Sequence, residues 1–149
     1  MPSRRLFLVL FAALMLASAP TLAQLQTFAK GEVTVESATG PHKFAVEVAT
    51  TPEQHEQGLM FRRSMAADAG MLFDFGTPAP QTFWMKNTLI PLDMLFVGAD
   101  GRIVNIHERA VPLSTDMIPS AGPVRAVVEL NGGTAARLGI RPGDRVTWR

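Results

Sequence analysis

Between Gln81 and Val97 the chain reads QTFWMKNTLIPLDMLFV, a dense apolar and aromatic stretch built around one lysine and cut by Pro91. Thr82, Trp84 and Lys86 alternate with Phe83, Met85 and Asn87, the period of a strand whose faces meet different surroundings. Pro91 has no backbone donor and holds Ile90 extended, so the ladder is expected to break between Asn87 and Leu92. The stretch therefore predicts two strands joined by a crossing. From Leu92 to Val97 the run is apolar except for Asp93, which predicts a strand covered on both faces. A carboxylate there is costly unless it finds partners.

At the N-terminus, Arg4 and Arg5 precede an apolar run from Leu6 to Leu16, and small residues lead on to Ala23. This is the layout of a secretory signal peptide cleaved after Ala23, and the apolar core is shorter than the roughly 20 residues that span a bilayer. The expectation is a periplasmic or secreted protein with no stable membrane span after cleavage. SRRLFL at Ser3 to Leu8 also resembles a twin-arginine export signal, although the general secretory route suits the segment equally well.

Removing residues 1–23 from 149 leaves 126, enough for one domain and too few for two. Losing Arg4 and Arg5 takes the net charge from +1 to −1. No basic excess remains for a phosphate backbone, which argues against nucleic-acid binding. The chain has no cysteine. Disulfides, thiolate metal sites and cysteine nucleophiles are excluded, so stability must come from packing.

The remainder reads as short strands. Val33 and Val35 alternate with Glu32, Thr34 and Glu36; after a turn at Ala38 to Pro41, Phe44, Val46 and Val48 repeat the pattern, which predicts a hairpin or meander. Thr51, Pro52 and Gln54 form a capping box with proline at the first helical position, and Gly58 stops the helix after about two turns. Met71 to Phe75 is the next strand. Asp100-Gly101 marks a hairpin between Val97 and a return strand at Arg102 to Glu108. Arg109 to Pro123, with three prolines, is a long connection and a candidate lid. Val124 to Leu130 is a strand, Thr134 is expected to cap a helical turn ended by Gly139, and Arg145 to Trp148 closes the chain.

GLMFR at Gly58 to Arg62, GMLF at Gly70 to Phe73, FWMKNTLIPLDMLF at Phe83 to Phe96 and VELN at Val128 to Asn131 together resemble the domain-of-unknown-function 192 family. The resemblance runs over nearly all of residues 24–149. It implies a mainly β, β-rich α+β fold in a single compact domain: a barrel-like or strongly curved mixed sheet with one or two short helices. It brings no activity and no functional residues.

The residues themselves leave several chemistries open. Trp84, Lys86, Asn87, Asp93 and Arg62 are the candidate ligand-binding set, with Trp84 stacking on a flat ligand and Lys86 and Asn87 supplying polar contacts. Arg62 and Arg63 suit an anion, but a pair on a strand would point to opposite faces. Lys86 and Asp93 suggest a structural ion pair or, with a lowered lysine pKa, a catalytic couple; alternatively the Lys86 stem covers Trp84 with its ammonium in water. A hydrolase would otherwise need paired carboxylates from Asp74, Asp93, Glu108 or Glu129. The methionines, among them Met60, Met65, Met71, Met85, Met94 and Met117, are soft enough for copper(I), yet they sit inside apolar runs as core fillers do. His42, His55 and His107 are too dispersed to mark zinc. No motif requires a cofactor. The expectation is an exported, non-catalytic module that binds a small ligand or an envelope partner around Phe83 to Asp93.

Overall fold

The computed structural model describes residues 24–149, and the expected signal peptide lies outside the described residues. Among the described residues nine strands and two short helices follow in chain order. Strands β1 (Ala29–Ser37) and β2 (Gly40–Ala49) form the expected antiparallel hairpin. Helix α1 (Pro52–Gln57) begins as the sequence predicts: the Thr51 side chain accepts the Gln54 amide, and Gln54 returns the bond to the cap backbone. This helix carries the chain across, so that β3 (Ala69–Ala79) runs parallel to β2.

After β3 the chain makes β4 (Thr82–Phe83), β5 (Leu92–Val97), β6 (Ile103–Ala110), β7 (Ile118–Pro119) and β8 (Val124–Asn131). Helix α2 (Thr134–Leu138) and strand β9 (Arg145–Trp148) complete it. The main sheet has the order β6-β5-β8-β3-β2-β1-β9, while β4 and β7 pair separately. Its right-handed twist curls it into a half-barrel whose two edges meet at one corner, where the Val146 amide donates to Gly101 at 2.7 Å and Ile103 to Asp144 at 3.0 Å.

Strand alternation sends side chains to two cores. Val33, Val46, Leu72, Leu95, Val97 and Val128 fill the barrel interior. Met71, Phe73, Met94, Phe96 and Val127, their neighbours along the same strands, pack outside under Leu59, Met85 and Ile118. Every residue of β5 is buried, as a strand covered on both faces requires.

Two sequence expectations change. Only Thr82 and Phe83 of the 81–87 segment are strand; Met85 to Thr88 closes a turn, with Asn87 at φ 53°. Thr134 does not cap α2. Its cap position is Gly133, without a side-chain bond, and Asp93 supplies what is missing. Asp93 Oδ1 accepts the amides of Arg109 (2.8 Å) and Gly133 (3.0 Å), and Oδ2 accepts that of Ala135 (2.8 Å). The carboxylate thus binds β5, the end of β6 and the start of α2 together. It sits at a helix N-terminus, where negative charge is favoured.

Asp93→Ala leaves buried amides without an acceptor and is expected to cost about 4 kcal/mol in urea unfolding. Asp93→Asn, which keeps one carbonyl oxygen, is expected to lose about half of that. Lys86→Ala, on an exposed side chain, should cost less than about 1 kcal/mol.

Candidate functional site

Three loops are stitched together over the outer core. The Phe61 amide donates to the Asn87 carbonyl at 2.9 Å, Leu113 to Thr88 at 3.0 Å and Met85 to Ser114 at 2.9 Å. GLMFR, FWMKNT and the 109–123 connection therefore meet in one place, and the expected lid is fastened to the central stretch by these bonds and by the β4–β7 pairing. Phe61 (φ 67°), Asn87 (φ 53°) and Leu113 (φ 66°) all occupy the left-handed region. Asparagine tolerates that region, but phenylalanine and leucine enter it at a cost that the surrounding contacts must offset. Around this junction Phe61, Trp84, Leu89, Val111, Leu113 and Met117 remain exposed.

Beside the junction opens a pocket of about 240 Å³. Helix α1 and Gly58 form one wall, Phe73 and Phe75 of β3 another, and Phe83, Trp84 and Thr88 a third. Phe83 fixes the aromatic wall by edge-on contacts with Phe73 (5.1 Å, 88°) and Phe96 (5.9 Å, 87°). His55 Nε2 donates to the Ala49 carbonyl at 3.0 Å, and its ring lies 4.5 Å from that of Phe75. Gly58, at φ 47°, lets the chain leave α1 close over the ring of Phe73, which a Cβ would approach at 3.1 Å.

Glu129 lies on the pocket's inner lining. In register it faces Met71 on β3 and Met94 on β5, so it stands in the middle of the outer apolar face. The close approach of β3 to β8 depends on Gly70, whose Cβ would come within 2.6 Å of the Glu129 carbonyl. Glu129 is 4% exposed, and its carboxyl has no hydrogen-bond or ion-pair partner among the described residues. No fully sealed side-chain oxygen or nitrogen among those residues lacks a partner. The Glu129 carboxyl therefore keeps its small residual access, and the pocket provides it. Burial in this apolar setting pushes its pKa up to about 8.

The residues singled out from the sequence divide between this site and others. Trp84 is 40% exposed on the pocket wall, with Lys86 Nζ 5.1 Å from its ring centroid. The ammonium itself lies over the tryptophan ring, whereas the sequence reading places only the Lys86 stem there, with the charge in water. The Lys86–Asp93 pair does not form, because Asp93 is buried and occupied by backbone amides. Asn87 shapes the turn, and its Nδ2 reaches Met60 Sδ at 3.9 Å. Arg62 Nη1 donates to Glu47 at 2.7 Å, and this bond holds the Glu47 carboxyl below its usual range.

Of the four carboxylates considered for hydrolysis, Asp74 takes the Trp148 indole N–H at 3.2 Å and Glu108 is exposed. Among the described residues no group of three or more histidine and carboxylate side chains is placed to hold a metal ion. Met71, Met85 and Met94 are packed in the outer core. Glu129 appeared in the sequence only as one carboxylate of several. The signal that could have distinguished it is its position in the apolar run VVEL, at a place where strand alternation demands a core residue.

An acid whose pKa is raised on folding makes the native state hold a proton that the unfolded chain has released. Stability should therefore fall as pH rises from about 4.5 to about 8, by up to about 1.4 kcal/mol per unit, and level off above that window. In thermal unfolding across this range, Glu129→Gln should flatten this component and melt higher than wild type at pH 8.

Among the described residues no helix is long and apolar enough to cross a membrane. No curated protein matches the chain. Solved crystal structures do, two of them as follows. One is a protein of Sinorhizobium meliloti 1021, provisionally described as a transcription regulator: 53% identity, TM-score 0.80, covering 84% of this chain and 98% of that one. The other is a protein of unknown function from Novosphingobium aromaticivorans DSM 12444: 47% identity, TM-score 0.81, covering 89% of this chain and 94% of that one. The family profile described as "Uncharacterized ACR" matches residues 33–148, and the chain belongs to this family, DUF192.

Proposed function

We propose that the protein is an exported, non-catalytic module that takes a small ligand into the pocket beside Phe83 to Thr88. One observation carries the reading: a carboxyl buried in the outer apolar core, without a partner among the described residues, lines an aromatic pocket. An unpaired buried carboxyl costs stability, and a leucine in its place would pack without that cost. A group that weakens the free protein and faces a cavity is what a ligand site requires. The volume, below the common range for drug-sized ligands, suits a small molecule. Export is supported by the basic pair, apolar run and small residues of positions 4–23.

The catalytic alternative draws little from the geometry, since Lys86 and Asp93 are apart and Asp93 is engaged by backbone amides. The regulator description of the Sinorhizobium neighbour does not extend readily to a chain with a net charge of −1 after loss of Arg4 and Arg5.

Thermal unfolding against a panel of small amines, alcohols, carboxylates, sugars and metal ions tests the reading. A ligand at about 100 times its Kd should stabilise by about 2.7 kcal/mol. Glu129→Leu should melt higher than wild type in the absence of ligand and lose that response. A flat panel with wild-type protein would contradict ligand binding and leave the exposed apolar rim as a protein-docking surface.

A further inference from the structure

We infer that the pocket selects organic cations: small amines with an apolar body, whose ammonium meets Glu129 and whose body lies among the rings. This rests on the pocket being the ligand site, and it adds the sign of the ligand's charge. The lining contains two acidic residues, Glu129 at the floor and Glu56 on α1, and no lysine or arginine. The nearby cation, Lys86, is directed over Trp84 and is not part of the lining. An anion entering this pocket would find neutral donors such as Gln57, Gln81 and Thr88 but no cationic side chain, whereas a cation gains a carboxyl partner.

The walls favour the same sign. Phe73, Phe75, Phe83 and Trp84 contribute aromatic rings, and ring faces attract ammonium groups through their quadrupoles. His55 commits Nε2–H to the Ala49 carbonyl. A volume of about 240 Å³ equals the liquid volume of about eight waters, room for an arylalkylamine and little more.

Binding has a proton balance. Near neutral pH the Glu129 carboxyl of the free protein carries its proton; an arriving ammonium stabilises the carboxylate, and the displaced proton passes to solvent. His55 and Glu56, both on α1, are the other titratable groups on the lining. The neighbours across from Glu129 on β3 and β5 are Met71 and Met94, and Thr88 shares the pocket lining with it; none of these titrates.

The test compares three near-isosteric probes, phenethylamine, 2-phenylethanol and hydrocinnamate, by calorimetry at pH 7 in two buffers of different ionisation enthalpy. Phenethylamine should bind at least about tenfold more tightly than the alcohol, with hydrocinnamate weakest. Its binding should release close to one proton, and the alcohol's should release none. Glu129→Gln should fold, abolish the proton release and bring amine and alcohol within about threefold of each other. Equal or tighter binding of the alcohol or hydrocinnamate by wild type would overturn the cation preference while leaving a ligand pocket standing. Absence of phenethylamine binding at millimolar concentration would also overturn it, and if the wider panel were flat too, the pocket reading would fall with it. Amine preference kept in Glu129→Gln would remove Glu129 from recognition.

Discussion

The architecture depends on three adjacent strands that are buried on both faces. β3, β5 and β8 each send alternate side chains into the barrel interior and onto the outside of the sheet, and both sets are apolar. Curling the sheet closes the first set inside. The second set then needs a cover, and no long helix is available among the described residues to provide one. The cover is assembled from α1, the β4–β7 pair and the junction of three loops. A lid built from short irregular pieces leaves gaps more readily than a packed helix, and the pocket over Glu129 is such a gap.

The two buried acids illustrate opposite solutions to one problem. Asp93 faces the end of the barrel interior, where it accepts amides from the end of β6 and from the cap position and first turn of α2. It offsets its desolvation by doing what a capping residue does, across a long stretch of sequence. Glu129 lies one strand over on the opposite face, and nothing among the described residues compensates it. A fold that provides amply for one carboxylate and not for the other points to a partner from outside for the second. The left-handed Phe61 and Leu113 beside the pocket fit the same view, since backbone strain concentrates where geometry serves recognition.

Much of the scaffold was legible in the sequence because its signals are local. The Thr51–Gln54 capping box, the Asp100-Gly101 turn and the alternation in β1 and β2 each act within a few residues, and each appears as expected. The continuous apolar run of β5 correctly announced two-faced burial. The errors come from contacts distant in sequence. The 81–87 alternation is genuine, but the chain there is held by amides and carbonyls of 61 and 113–114, so only two residues remain strand. Thr134 looked like a cap because the true capping carboxylate comes from another strand. Lys86 and Asp93, close in sequence, are separated by the Pro91 break and point to different surroundings. Of the candidate site, Trp84 was legible as an aromatic in an unusual context, whereas Glu129 requires knowing that VVEL faces a covered surface.

In the free protein Glu129 is buried without a partner among the described residues. A carbon-detected NMR titration of its side-chain carboxyl tests this most directly. The expected midpoint is near 8, far above the ordinary carboxylate value of 4.5. A midpoint near 4.5 would mean that the carboxyl is solvated or paired, and the proposed ligand site would lose the observation that carries it.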